Sequence, residues 1–292
     1  MVGVRRSKQN IYIASLPRSG STLLGMILNQ GKQCAYIGES FYWKKLNPKN
    51  QICTCGNLGC KILLKAYKEI KKNKDILRIT DVLNKLDGIL QKAGNNSGLF
   101  QKRYEEEINI SCLGLEKEAE IFRKILNKKI IINSSSNIII GKKLAEKFDW
   151  KVIVLIRDPR GVISSIKEAA VRHGIKIKND IWINYVSDFI QRAWKFRGNK
   201  NVLIIKYEEL CHAPNNEVKK ICKFLGITYN QKILKYRQDK GHIFMANRMR
   251  FGKSEIIKED KGWIKKLSES EKLKIIHDNK IIKGYDRFGY KL

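Results

Sequence analysis

Four short stretches of this chain are apolar without alternation: "IYIAS" (11–15), "KIIINSS" (129–135), "KVIVLIR" (151–157) and "NVLIIKY" (201–207). Ile/Val-rich runs of this length suit parallel strands covered on both faces. "CAYIG" (34–38) is a weaker fifth. Between the runs, apolar residues recur at helical spacing over 21–30, 61–73, 76–92, 114–127, 138–148, 161–172 and 180–198. Two more helices are expected at 216–227, where Gly226 is placed as a C-terminal stop, and at 268–285. Strands alternating with helices predict an α/β fold, a doubly wound parallel sheet flanked by helices. Residues 43–113 carry little strand signal and read as a helical insertion within one domain spanning 1–292, with "GNNSG" (94–98) as its best candidate for a mobile loop.

The 292 residues suffice for one large α/β core. Lys and Arg outnumber Asp and Glu by 59 to 28, giving a net charge of +31. Spread over the whole chain, that charge fits either Lys-rich solvated faces or attraction to a polyanion. No run of about 18 apolar residues is found, so no transmembrane segment is expected. The start "MVGVRRSKQNIYIAS" enters the first strand at once and leaves no room for a signal peptide, so a cytoplasmic protein is expected. Of seven cysteines, three cluster in "CTCGNLGC" as Cys53, Cys55 and Cys60. Three thiolates can ligate zinc, but a closed structural site takes four ligands, and Cys34 or Cys112 can be the fourth only through the fold. A redox pair or plain packing thiols explain the cluster equally well, and no metal is assigned to the site.

Two strand-to-helix turns carry the chemistry. In "SLPRSGSTLLGMILN" (15–29), Pro17 and Gly20 punctuate the exit from the first strand, and Ser19 or Ser21 can cap the helix. The same turn aims backbone N–H groups and a helix dipole at one spot, which suits a phosphate. Arg18 adds a fixed charge, and Ser19, Ser21 and Thr22 add hydroxyl donors. In "VIVLIRDPRGVISSIKE" (152–168), Arg157 ends the strand and Gly161 opens a helix bearing Ser164 and Ser165. An Arg converging with a helix-borne hydroxyl can hold a second phosphate. A kinase-type P-loop needs Gly-x-x-x-x-Gly-Lys-Ser/Thr, and "LPRSGSTLL" lacks both its first Gly and its Lys. The dinucleotide fingerprint G-x-G-x-x-G follows no strand here.

Together the two turns resemble those of the PAPS-dependent sulfotransferases (carbohydrate and tyrosyl-protein-like branch, bacterial type), PAPS being 3′-phosphoadenosine 5′-phosphosulfate. "PRSGSTLL" is similar to their 5′-phosphosulfate loop, and "VLIRDPRGVISS" to their 3′-phosphate motif, with Arg157 and Ser165 at the family's spacing. The similarity continues through "IIKYEELCHAPNNEVKKICKFLGI", "HIFMANRMRF", "KGWIKKLSESE" and "GYDRFGY". It implies a P-loop-like doubly wound sheet, in which Pro17, Arg18, Ser19, Gly20, Ser21 and Thr22 surround the 5′-phosphosulfate. It implies also that Arg157 and Ser165 grip the 3′-phosphate. Arg250, helped by Asn247, reaches the 3′-phosphate or the adenosine, and Tyr207 and Trp263 are candidates to pack near the adenine. Glu39 in "YIGES" matches the catalytic Glu of tyrosyl-protein sulfotransferases by its spacing from the loop Arg and is the expected base, with His242 as rival. One departure is that "NSSS" places Asn133 and Ser136 where relatives have Asp and a stabilising Lys, for which Lys142 or Lys143 can substitute.

The expected function is therefore transfer of a sulfuryl group from PAPS to an acceptor hydroxyl, on a sugar, glycan or glycolipid. The partners are PAPS, with PAP as product, and a hydroxyl acceptor, which an anionic glycan would satisfy. No metal is required and no specific nucleic acid is expected. The alternatives are a P-loop-type kinase or nucleotide hydrolase, and a polyanion-binding protein resting on charge alone. The acceptor and the oligomeric state are not legible.

Overall fold

The structure, a computed structural model, describes residues 9–39, 43–44, 46–79, 98–172 and 179–292. Five strands form one sheet: β1 (Ile11–Ser15), β2 (Cys34–Gly38), β3 (Ile130–Ser135), β4 (Lys151–Ile156) and β5 (Val202–Lys206). Their order is β2-β3-β1-β4-β5, and every pairing is parallel. The five apolar runs are thus the five strands. β1 lies in the middle because it pairs with β3 on one side and β4 on the other. It is buried on both faces: Tyr12 and Ala14 face one core, Ile11 and Ile13 the other. This double burial explains why the runs are continuously apolar.

The sheet is accompanied by helices α1 (Ser21–Asn29), α2 (Lys61–Lys71), α3 (Gly98–Leu126), α4 (Ile138–Lys147), α5 (Pro159–Arg172), α6 (Asn179–Phe196), α7 (Tyr207–His212) and α8 (Pro214–Leu225). The short α9 (Trp263–Lys266) is followed by α10 (Glu269–Ile276) and α11 (Asn279–Asp286). Gly226 ends α8 in the left-handed conformation at φ 63°, the expected stop.

Two expectations shift. The helix expected at 268–285 is two helices, α10 and α11, because the Asp278 carboxylate accepts from the N–H groups of Lys280 and Ile281 and starts a new helix. The helix expected from 114 belongs to α3, which begins at Gly98. Most of "GNNSG", and part of the helix expected at 76–92, lie outside the described residues. Of residues 43–113, the structure describes α2, the first part of α3, a helical stretch at 74–79 and a reversal bridged at Ile52 and Leu58. The insertion is fastened to the sheet by a buried carboxylate: Trp43 Nε1 donates to Glu118 Oε1, and Asn133 Nδ2 to Glu118 Oε2 at 3.2 Å. An Asp at 133 would set a second carboxylate against Glu118, whereas Asn donates to it. Among the described residues, no helix is long and apolar enough to cross a membrane.

Candidate active site

The carboxyl ends of β1, β2 and β4 open onto one cavity of about 600 Å³. Its lining includes Pro17, Arg18, Gly20, Ser21, Thr22, Glu39, Arg157, Ser165, Tyr207, Asn247 and Arg250. Residues distant in sequence are therefore gathered at the end of the sheet where ligands bind in open α/β folds.

The first turn is built around a glycine. Gly20 caps α1 at φ 93°, and a Cβ there would stand 2.6 Å from the Tyr207 ring, so both conformation and space demand glycine. The cap corrects the expectation of a serine cap, since no side chain accepts from the first turn of α1. The first intrahelical bond runs from Leu24 N–H to Gly20 O. The N–H groups of Ser21, Thr22 and Leu23 thus begin the helix without a capping oxygen, beside the cavity. Ser19 sits behind the lining, its Oγ without a hydrogen-bond partner. It is fully buried and spends its N–H on Leu16 O at 3.2 Å.

Arg18 adopts φ 70°, a conformation that side-chain-bearing residues rarely take. Arg157 holds it there, donating from Nη1 to Arg18 O at 2.7 Å. Arg18 Nε in turn donates to Ser165 Oγ at 2.7 Å, tying the two turns together. Arg157 is buried, stacks 4.6 Å from the Tyr207 ring centroid, and reaches Asp260 through both its carbonyl (2.6 Å) and its carboxylate (3.3 Å). Gly161 makes room for this guanidinium, since a Cβ there would lie 2.8 Å from Arg157 Nε. α5 starts at Pro159, two residues before its expected start at Gly161, and Asp158 Oδ1 accepts from Arg160 N–H at 2.8 Å.

Glu39 follows β2 in the cavity wall. Burial pushes its carboxyl up to about 7, against the opposing pull of Arg250. Its own N–H donates to Met245 O, beside a parallel bridge between Gly38 and Met245. A second tie crosses at Asn247 N–H, which donates to Thr22 Oγ1 at 3.2 Å. Arg250 Nη2 donates to Phe244 O at 3.1 Å, and its Nη1 to Ala246 O.

Several expected residues fall elsewhere. Trp263 is not in the lining and stacks under Arg160, 4.3 Å from ring centroid to guanidinium. Lys142 pairs with Glu146 on the exposed side of α4, and neither it nor Lys143 lines the cavity. Ser136 is likewise absent from the lining. The lining cation that sequence reasoning missed is Lys258, joined by Gln51, Tyr236, Phe244 and Asp260. Lys258 and Asp260 sit beside "KGWIKKLSESE", which is the signal that would have found them. His242, the rival base, lies outside the cavity with its Nδ1 between Cys53 and Cys60. Neither Cys34 nor Cys112 joins that cluster: Cys34 is in the core under α1, and Cys112 packs near Ile140 O.

Comparison with known proteins bears on the family and the fold. The family described as sulfotransferase domain matches residues 8–240. No curated protein matches the chain. Among solved structures, the sulfotransferase domain from the curacin biosynthetic pathway is similar at 17% identity and a TM-score of 0.52, covering 97% of this chain and 98% of that one. Sulfotransferase STF9 from Mycobacterium avium shares 12% identity at a TM-score of 0.57, over 97% of this chain and 78% of that one. Mouse sulfotransferase SULT7A1, solved in complex with PAP, shares 13% identity at a TM-score of 0.52, over 97% and 88%. At these identities the likeness is one of fold.

Proposed function

The chain belongs to the sulfotransferase domain family, and from that premise we propose that it moves the sulfuryl group of PAPS onto an acceptor hydroxyl. The observation that carries this reading is the gathering of Arg18, Arg157, Ser165, Glu39 and Arg250 around one cavity. A 3′,5′-bisphosphate needs two cationic cradles, and the two linked turns offer them. Arg18 with the N–H groups of Ser21 and Thr22 meets the 5′-phosphosulfate. Arg157 and Ser165 meet the 3′-phosphate, which displaces the Asp260 carboxylate from Arg157. Tyr207 and Arg250 complete the nucleotide side.

The acceptor oxygen attacks sulfur in line. A new O–S bond forms as the S–O bond to the 5′-phosphate breaks, and PAP departs with that electron pair. Glu39 takes the acceptor's proton, a role suited to a carboxyl that burial has moved towards neutrality. Charge growing on the bridging oxygen is met by Arg18 and the helix N-terminus. Arginine and backbone donors supply this charge, so the reading calls for no metal in the reaction.

We read the chain as one sulfotransferase domain whose 43–113 insertion shapes the acceptor side, which the presence of Gln51 in the lining supports. An acceptor hydroxyl on a sugar, glycan or glycolipid follows from the family branch the turns resemble, and a net charge of +31 suits an anionic one. Seven cysteines that form no disulfide suit a reducing compartment such as the cytoplasm. The test is incubation with PAPS carrying labelled sulfur and a panel of hydroxylated acceptors. Label moving to one acceptor with release of PAP supports the reading. Failure of every acceptor together with failure to bind PAP would overturn it.

A further inference from the structure

Four ligating side chains that the sulfuryl transfer does not use converge beside the cavity. The Sγ atoms of Cys53, Cys55 and Cys60 and a ring nitrogen of His242 all lie within 4.8 Å of one another. His242 Nδ1 is 3.5 Å from Cys53 Sγ and 3.3 Å from Cys60 Sγ. A tetrahedral zinc ion with Zn–S bonds of about 2.3 Å and a Zn–N bond of about 2.0–2.1 Å sets nitrogen and sulfur about 3.5 Å apart. The observed separations match that geometry. Hydrogen bonding accounts for them less well, because Nδ1 has one lone pair or one proton and two sulfurs sit at comparable distance from it. Cys53 and Cys60 are buried, as a closed site requires.

The backbone around the cysteines is shaped to present them. Ile52 and Leu58 form an antiparallel bridge, Cys53 N–H donates to Asn57 O at 3.1 Å, and Gly56 N–H returns to Cys53 O at 2.9 Å. Gly56 at φ 92° and Gly59 at φ 57° allow the tight reversal between the second and third thiols. Asn57 Nδ2 donates to Cys55 Sγ at 3.6 Å, a contact that would stabilise a metal-bound thiolate. Thr54 then zips the hairpin to the segment bearing His242: its Oγ1 donates to Gly241 O at 3.1 Å and accepts from Ile243 N–H at 2.9 Å.

We propose that Cys53, Cys55, Cys60 and His242 form a structural zinc site that fastens the insertion to the C-terminal wall of the cavity. Binding of Zn²⁺ releases three thiol protons, leaves the imidazole neutral, and moves no electrons. All four positions are filled by protein, so no site remains open for substrate. The fourth ligand is the histidine, in place of the Cys34 or Cys112 that the cysteine pattern alone suggested. The location gives the ion its effect, because Gln51, just before Cys53, and Phe244, just after His242, both line the cavity.

The test is the zinc content of the full-length protein, purified without a metal-charged resin, by elemental mass spectrometry. The proposal expects about one zinc per chain, falling to near zero in His242→Ala and Cys60→Ser and unchanged in Cys34→Ser. Should those variants fail to fold, the wild-type protein exchanged with Co²⁺ serves instead, and it should show the intense visible bands of a tetrahedral cobalt thiolate. Three results would each overturn the proposal: a metal-free protein that takes up no Zn²⁺ in chelator competition, zinc retained in both ligand variants, or a Cys53–Cys60 disulfide in the isolated protein. None of these readouts depends on enzymatic activity.

Discussion

The two walls of the cavity are built on different principles. One wall is the carboxyl end of the sheet, where Arg18, Glu39 and Arg157 leave strands whose register is fixed by parallel pairing and whose side chains are buried in two cores. The facing wall runs from Gly241 to Asp260 and has only a 3₁₀ turn, Arg248–Phe251, for regular structure. Side chains reaching carbonyls hold it together: Tyr236 Oη and Arg237 Nε both donate to Ser254 O, and Arg237 Nη2 donates to Met249 O. Phe251 and Ile256 stand exposed on it. Ile243 and Phe244 sink into the two cores, whereas 251–256 is exposed throughout, and a stretch with few buried apolar contacts opens at lower free-energy cost than one seated on a parallel sheet. The difference is thus between a rigid wall and an adjustable one, and both carry charge. Arg18, Glu39 and Arg157 come from the sheet side, and Arg250 and Lys258 from the facing side. The two are joined at Gly38–Met245, at Thr22–Asn247 and at the cysteine–histidine cluster.

The sharpest way to separate the walls is to remove chemistry from the rigid one without touching binding. Glu39→Gln should lower kcat by about 10²- to 10⁴-fold while PAP affinity, measured by calorimetry, stays put. Arg157→Ala removes a buried guanidinium that holds both Arg18 and Asp260, and should weaken PAP binding about a hundredfold, near 2.7 kcal/mol. Gly38→Ala attacks the joint itself, since φ there is +89° and a Cβ would meet Met245 O at 2.0 Å. Thermal unfolding should report a loss of about 2 kcal/mol or more.

The pH dependence follows from Glu39. Its carboxyl is raised from 4.5 to about 7, so the folded protein holds a proton that the unfolded chain releases between those values. Stability from this group is full below 4.5 and is lost as pH rises through about 7. Catalysis runs the other way, so kcat/KM should climb through about 7 as the base form appears, and this limb should vanish in Glu39→Gln. The smallest effect belongs to the adjustable wall. Asp260→Asn removes an exposed competitor for Arg157 and should tighten PAP about twofold.

The rigid wall was legible because double burial writes itself as continuous Ile and Val, and because Pro17, Gly20 and Gly161 punctuate the turns that leave the strands. The adjustable wall was not. Lys258 and Asp260 enter the cavity from a segment without hydrophobic period, and such a segment gives no periodicity to read. The partner of the three cysteines was hidden for another reason, since His242 lies 182 residues after Cys60 and only the fold brings them together. Ser19 shows how burial hides a residue from such a reading: its N–H is used by Leu16 O and its side chain is buried, while its Oγ is left without a hydrogen-bond partner.

The central claim is that the rigid wall holds a 3′,5′-bisphosphate in two cradles. Calorimetric titration with PAP, AMP and ATP, without added metal, tests it most directly. PAP is expected to bind at least about tenfold tighter than AMP, and the advantage should disappear in Arg157→Ala. Equal binding of PAP and AMP, or tight binding of ATP that requires magnesium, would contradict it.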